Sequence, residues 1–334
     1  MMACRSLLYR RSTSVEFSIG FLSVIQCMLF LIANVLCVRR VCMFGLVDFE
    51  MPDAVELGVF ENGSPEWHKA RKGAVGGSQV GAIIGVNPWE SAVTAFYKFT
   101  GQISSEVVPS MSMRLGTKLE DDILEIFAEE HPELTVLQAG SYASKKEPRF
   151  HANPDGIFVE LDGTVGVVEI KFSRDYWSEV PRHYRAQVIW YMHVLGLKKA
   201  KIVALAGSSY QEFELDYDPF EAAVIVEQVY AFLDCVDKGQ QPMWDGSEST
   251  LTTMRDLNSG LVDVVEDLGD LGMHYCLAYE RLQDVTEHYR EMQSRVLDAL
   301  GDAKYGEVEG ERVVAKQQSR SGSPFLVYKR KGTK

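Results

Sequence analysis

A chain of 334 residues has room for one large or two ordinary domains, and 46% hydrophobic with 24% charged residues is a globular balance that excludes disorder and fibrous repeats. The 34 Lys and Arg against 47 Asp and Glu leave a formal charge of −13, which excludes nucleic-acid capture by a generally basic surface; any such contact has to be locally basic. Four of the six cysteines (Cys4, Cys27, Cys37, Cys42) lie in the first 42 residues, so the rest of the chain has only Cys235 and Cys276, too few for a disulfide framework or a cysteine metal cluster.

From Phe17 to Val38 the chain is uncharged for 22 residues, with Arg5, Arg10 and Arg11 before and Arg39 and Arg40 after, a length that can span a bilayer. A secretory signal fits less well, because the apolar run is too long and no small-x-small cleavage site follows. Three readings stay open for residues 1–42: a start set too early, with translation from Met43 or Met51; a membrane anchor; or a buried helix. Without them 29 positive residues face 46 negative ones, so the body is more acidic still, at −17.

Residues 43–62 read as acidic and irregular. Ser64 as N-cap with Pro65 at the first helical position opens a short helix to residue 71. The run GAVGGSQVGAIIGVNPW (73–89) reads as a glycine-rich turn, then Ser78 capping a small apolar helix over 79–84 that Gly85 and Pro88 close. Ser91 caps another helix. Over 114–134, Leu119, Ile123, Ile126 and Phe127 fall at i, i+4, i+7 and i+8, an amphipathic stripe bordered by Glu120 and ended near Pro132.

The period then changes. YASKK, GIFVEL, TVGVVEIKF, AKIVALAG and YQEFELDY are short β-branched or aromatic runs separated by turn residues and read as one sheet. Between the third and fourth lies a helix over 181–196, apolar on most faces and therefore buried; another follows over 219–237. Gln240, Gln241 and Pro242 mark a boundary, giving a body over 43–245 and an extension over 246–334 with a long helix around 271–300, a weak strand pair and a basic tip.

One constellation carries chemistry: Asn153-Pro154-Asp155-Gly156, then Glu169-Ile170-Lys171. Along a strand i and i+2 share a face, so Glu169 and Lys171 point the same way. Asp155 joins them only if the intervening loop has an odd number of residues. Leu161-Asp162-Gly163 supplies a three-residue loop with Gly163 in the left-handed position, pairing Glu160 with Thr164 and Asp155 with Glu169; a two-residue Asp-Gly turn separates the carboxylates instead. Two carboxylates and a lysine on one hairpin suit Mg²⁺ held against a phosphodiester, with the lysine orienting or deprotonating water or stabilising developing charge. The plain alternative, a surface ion pair on an edge strand, fits poorly because Val167, Val168 and Ile170 make this strand apolar on both faces.

The order Arg71-x₆-Ser78, VNPW (86–89), LGTKLED with Glu120, NPDG, VEIK and Gln187 resembles the YqaJ-type viral recombinase nucleases, grouped with lambda exonuclease in the PD-(D/E)xK superfamily, over roughly residues 64–240. The resemblance implies an α/β fold with a restriction-endonuclease-like core, a mixed central sheet flanked by helices and here a helical C-terminal extension. It also implies a Mg²⁺-dependent 5′→3′ exonuclease on double-stranded DNA ends, two metals with Mn²⁺ as a substitute, a single-strand annealing partner of the RecT/Beta type, and a ring of three subunits. Carried over, Asp155, Glu169 and the Ile170 carbonyl resemble metal ligands, Lys171 the catalytic lysine and Glu120 the helix-borne acid. Gln187 resembles the glutamine near the attacking water, with Tyr184 on the same side of its helix, and Arg71 and Ser78 resemble the 5′-phosphate pocket. Such an enzyme would work in the cytoplasm of a bacterial host. Lys72, Arg114, Lys118, Arg174, Arg182 and Arg185 are the candidates for a basic DNA channel. The competing classes are a restriction-like endonuclease, an iron–sulfur nuclease for which the cysteines are too few, and a non-catalytic, membrane-tethered DNA-binding module.

Overall fold

The computed structural model describes residues 50–329 apart from residue 62 and residues 106–108. The apolar stretch 17–38, a start at Met43 and the residues after 329 lie outside the described residues, among which no helix is long and apolar enough to cross a membrane. The elements run β1 (Ala54–Gly58), α1 (Pro65–Arg71), α2 (Gly77–Ile83), α3 (Ala92–Phe99), α4 (Met111–Glu130), β2 (Thr135–Gln138), β3 (Ser141–Ser144), β4 (His151–Ala152), β5 (Gly156–Val159), β6 (Val165–Ser173), α5 (Arg182–Leu195), β7 (Lys199–Ala206), β8 (Ser209–Asp216), α6 (Pro219–Lys238) and α7 (Glu248–Leu257). After these come α8 (Gly269–Leu300), β9 (Tyr305–Val308), β10 (Glu311–Gln318) and β11 (Pro324–Tyr328).

The mixed α/β core expected from the motif order is present. Its central sheet has the order β2-β5-β6-β7-β8, antiparallel throughout except for the parallel pair β6–β7, which α5 connects. Both faces are covered, which is why β6 is apolar on both sides. On one face Ile157, Val167 and Ile202 belong to a core with Val80, Phe96, Trp190 and Leu233 from helices α2, α3, α5 and α6. On the other, Phe158, Val168, Ile170 and Val203 pack against Ile123, Leu124 and Phe127 of α4, whose amphipathic stripe was legible. Each such fully buried side chain contributes about 1.5–3 kcal/mol.

Several boundaries differ from the sequence reading. Residues 54–58 form strand β1, which pairs with β3 in a separate three-stranded sheet, β1-β3-β4; YAS therefore lies outside the central sheet. Helix α4 starts earlier, capped by the Ser110 hydroxyl on the Met113 N–H, and Thr135–Gln138 is the edge strand β2. Ser64 and Ser91 cap α1 and α3 as expected. Ser78 does not cap α2: the N-cap is Gly76, whose N–H donates to the Gln79 side-chain carbonyl at 2.8 Å, leaving the Ser78 hydroxyl for another partner.

The chain divides into two compact units at Ser259/Gly260 rather than at 245/246. Helix α7 stays with the first unit through hydroxyls: Thr250 donates to Ser91 at 2.8 Å, and Thr94 and Thr253 are 2.8 Å apart. The second unit holds α8, which has no buried residue, and a three-stranded sheet β11-β10-β9. The extension is thus helical only in part.

Candidate active site

Hairpin β5–β6 decides which side chains meet. Its register pairs Gly156 with Val168 and Val159 with Val165, and the Glu160 N–H donates to the Thr164 carbonyl at 2.8 Å. Gly163, at φ +86°, closes the three-residue loop, and its N–H donates to the Glu160 carbonyl. One step beyond the ladder, Asp155 stands opposite Glu169, and its Oδ2 accepts from the Ile170 N–H at 2.7 Å. Ile170 is thus joined to the cluster through its N–H.

Glu120 arrives from α4. That helix comes close because residue 156 is glycine: a Cβ there would lie 2.7 Å from Leu124 Cδ1 and 3.3 Å from the Leu137 carbonyl oxygen. The Glu120 and Asp155 carboxyls share a hydrogen bond. A Cβ at Gly116, one turn earlier, would lie 3.5 Å from Phe172 Cβ, an ordinary contact.

Glu169 is 1% exposed. Its Oε1 accepts from the Lys171 ammonium and from Gln187 Nε2, the latter at 2.5 Å, whereas its Oε2 is buried without a partner. Gln187 Nε2 also lies 3.0 Å from the Tyr191 hydroxyl, so α5 contributes an i, i+4 pair to the site. Tyr184, one turn before, lies under Lys171, with Nζ 5.0 Å from its ring centroid, and it stacks on Trp177.

These carboxyls resist ionisation together. Burial first, then the Asp155 charge, pushes both Glu120 and Glu169 up to about 8, and burial raises Asp155 as well. Lys171 is displaced the other way from what burial alone would do: the carboxylates of Glu169 and Asp155 raise it above the ordinary lysine range. Among the described residues no three His, Cys, Asp or Glu side chains stand in a ready metal cage; Lys171 supplies the positive charge beside Glu169.

Arg71 and Ser78, the residues expected to hold a terminal phosphate, meet where three segments come together. Arg71 Nη2 donates to Ser78 Oγ at 3.3 Å, Nη1 to Asn153 Oδ1 at 3.4 Å, and the guanidinium lies 4.3 Å from the Trp67 ring centroid. Burial holds Arg71 below its usual range. The loop before α2 is pinned to the centre of the molecule, the Val75 N–H donating to the Arg149 carbonyl and the His151 N–H to that of Val75. Gly77 then passes so near α5 that a Cβ would lie 2.4 Å from a Tyr191 ring carbon and 3.0 Å from Gln187 Cγ, which joins pocket and carboxylate cluster.

All the expected side chains are therefore brought together on or beside one hairpin. Two members escaped the sequence reading. Tyr191 reads as one more apolar residue in a buried helix, and only its i+4 spacing from Gln187 signals a role. Asn153 was assigned nothing but an extended backbone before proline, yet its side chain accepts from Arg71 and donates to Ser141 Oγ. Of the proposed channel cations, Arg185 is committed to Glu221 in a two-pronged ion pair at 2.7–3.0 Å; Lys72, Arg114, Lys118, Arg174 and Arg182 are exposed.

The uncharacterised protein YqaJ of Bacillus subtilis (strain 168) is 25% identical over 265 residues, which cover 72% of this chain and 79% of that protein. Among solved structures, an alkaline exonuclease from Laribacter hongkongensis is 22% identical with a TM-score of 0.46, covering 53% of this chain and 94% of its own. A phage-related exonuclease from Haemophilus somnus 129PT is 13% identical with a TM-score of 0.39, covering 49% and 94%. Residues 66–198 match the family described as the YqaJ-like viral recombinase domain. That segment, which runs from Arg71 to the Gln187 helix, is what this chain has in common with the YqaJ-like viral recombinase domain.

Proposed function

We propose that the chain is a metal-dependent deoxyribonuclease that resects double-stranded DNA from 5′ ends and leaves 3′ single-stranded tails for recombination by strand annealing. The observation that carries this reading is the β5–β6 register, which puts Asp155 opposite Glu169 with Lys171 on the same face while Glu120 reaches Asp155 from α4.

The residues fit a hard divalent cation. Three clustered carboxyls, two held near 8 by burial and mutual repulsion, and the unpartnered buried Oε2 of Glu169 form a set of hard oxygen donors short of positive charge. Glu120, Asp155, Glu169 and the Ile170 carbonyl would hold Mg²⁺, with Mn²⁺ as a substitute and two ions as the family resemblance implies. When bound, the metal stabilises negative charge on the attacking and leaving oxygens of a phosphodiester.

The chain's own groups divide the remaining work. Lys171 keeps its proton because Glu169 and Asp155 hold it, so it acts as a cationic hydrogen-bond donor to the phosphate or to the attacking water and not as the base. Gln187 fixes the rotamer of Glu169 from α5, and Tyr184 supports Lys171 from below. Arg71, with Ser78 beside it, is placed to bind a terminal phosphate in a bidentate fashion, which sets the register of the scissile bond. The five exposed cations, Lys72, Arg114, Lys118, Arg174 and Arg182, would meet the DNA backbone, and the acidic remainder would discourage unspecific binding. A ring of three copies and an annealing protein of the RecT/Beta type complete the proposal.

Linear duplex and covalently closed circular DNA, each with Mg²⁺ or with EDTA, test the reading in one experiment. The expected result is digestion of the linear duplex alone and only with Mg²⁺. Cleavage of the closed circle would replace it by an endonuclease, and no cleavage of either substrate would remove the enzyme assignment.

A further inference from the structure

Trp89 is the fourth residue of the VNPW run, and nothing in the proposed chemistry uses it. It is 68% exposed, an expensive position for an indole, yet it is held in place. The Asn87 side chain accepts from the Trp89 N–H at 2.8 Å, and the Val86 and Asn87 N–H groups both donate to the Gly81 carbonyl at 2.9 Å, so the turn is fixed to the end of α2.

Behind the indole lies a continuous aromatic wall. The Trp89 ring meets His183 edge to face, with centroids 5.0 Å apart at 83°. His183 contacts Tyr184 at 4.0 Å, Tyr184 stacks on Trp177 at 5.3 Å, and Lys171 Nζ sits 5.0 Å from the Tyr184 centroid. The wall therefore leads from the lysine of the carboxylate cluster to solvent in three ring contacts. Within it, the Nε2 of His183 is buried and has no hydrogen-bond partner.

An exposed indole on a fixed turn offers a free π-face, and the His183 ring behind it holds the indole in place. A nucleobase released from its pair can turn a free π-face to the indole, whereas a base inside a duplex has both faces covered by its stacked neighbours. We propose that Trp89 and His183 form a binding site for an unpaired nucleobase at the frayed end of the duplex, on the far side of Tyr184 from Lys171. This site rests on the nuclease reading for its place in the reaction, but its occupancy does not depend on hydrolysis. Stacking on Trp89 would hold the terminal pair open while the neighbouring phosphate lies at Lys171, and because every base has a π-face the site would accept all sequences.

The test uses the full chain in EDTA, titrated with a blunt duplex and with the same duplex carrying three unpaired thymidines at one 5′ end, while tryptophan fluorescence is followed. The tailed duplex should quench the emission and bind about tenfold more tightly than the blunt one, the scale of one base–aromatic stack. Trp89→Phe should keep the affinity but lose most of the quench, Trp89→Leu should lose both, and His183→Phe should keep the stack. In Mg²⁺, Trp89→Leu should raise KM for the tailed duplex about tenfold with kcat little changed. Wild-type quench in Trp89→Phe, or unchanged affinity and KM in Trp89→Leu, would overturn the site. If the wild type binds and quenches but never hydrolyses, the base site stands and the nuclease reading falls; if the wild type cleaves linear duplex and neither affinity nor quench responds to the tail, the reverse holds.

Discussion

Asn153 Oδ1 accepts a hydrogen bond from Arg71 Nη1 at 3.4 Å and so ties the turn that delivers Asp155 to the pocket assigned to the terminal phosphate. The two parts of the site are 82 residues apart in the chain, and this contact sets their spacing. If Arg71 reads a 5′-phosphate, a duplex with that group should be digested faster than its 5′-hydroxyl counterpart, and Arg71→Ala should erase the difference. Arg71→Lys should not restore it, because a point charge lacks the planar fork. Asn153→Ala should weaken the preference by about tenfold, the lower end for one lost hydrogen bond to a charged group, since the contact is long. Equal rates on both ends in the wild type would contradict the pocket.

The raised carboxyls make a prediction for the metal-free protein. A buried acid whose folded value lies above its unfolded one leaves stability intact below the unfolded value, and stability is lost as pH rises toward the folded value. With Glu120 and Glu169 near 8, unfolding free energy without metal should fall between about pH 4.5 and 8, by up to roughly 1.4 kcal/mol per pH unit for each of the two groups. Divalent ions should flatten the slope. Glu120→Gln removes one of the opposed charges, so it should stabilise the metal-free protein by about 1–2 kcal/mol at pH 8 while cutting activity. Urea midpoints across that range, with and without Mg²⁺, check both statements; a midpoint that rises with pH would refute them.

Lys171 is expected to act with the opposite sign. Lys171→Met leaves Glu169 buried with Gln187 alone, and breaking such a pair from one side costs about 3–5 kcal/mol. Hydrolysis should vanish as well. A variant as stable as the wild type would mean that the ammonium is not what balances Glu169.

The loop between β5 and β6 offers a test by geometry alone. Deleting Asp162 turns a three-residue loop into a two-residue one, and with a side-chain period of two Asp155 moves to the face away from Glu169. Activity should drop at least about 100-fold, the scale seen when metal-site groups are displaced, while the circular dichroism spectrum stays that of a folded α/β protein. Full activity would show that the carboxylates do not depend on this register.

Gly77 is the position where the pocket touches the helix of Gln187. Gly77→Ala should cost about 1–3 kcal/mol of stability by overpacking against Tyr191, and it should lower kcat more than it raises KM, since it displaces the Gln187–Glu169 contact rather than the DNA path. Melting and steady-state kinetics on the same preparation give both numbers.

Much of this arrangement was legible because strand and turn chemistry are local. The Leu161–Gly163 loop, the amphipathic stripe around Glu120 and the buried helix around Gln187 each follow from a few adjacent residues. What escaped was set by distant partners. Strand β1 buries only Ala54 fully, so its five residues carry no alternation to read, and it exists because β3 offers an edge. Strand β2 has four half-buried residues and so no alternation to read. Ser78 looked like a cap because nothing nearby in sequence reveals that Gln79 reaches back to Gly76 and that Arg71 claims the hydroxyl. Helix α7 is joined to α3 through a cluster of hydroxyls, which hydrophobic periodicity does not register.

The parallel pair β6–β7 gives this core a particular folding order. Glu169 and Lys171 lie on the first strand of the pair, and Gln187 and Tyr191 on the helix that connects it to the second. Glu169 can therefore be buried only when the whole crossover closes, a long-range event that is slower than forming the β5–β6 hairpin. Until then its carboxyl titrates as in water and Lys171 has no buried counter-charge. Refolding without metal should accordingly take up protons from solution near pH 7 at the moment the sheet completes, so a pH-indicator dye in stopped flow would time the birth of the active site.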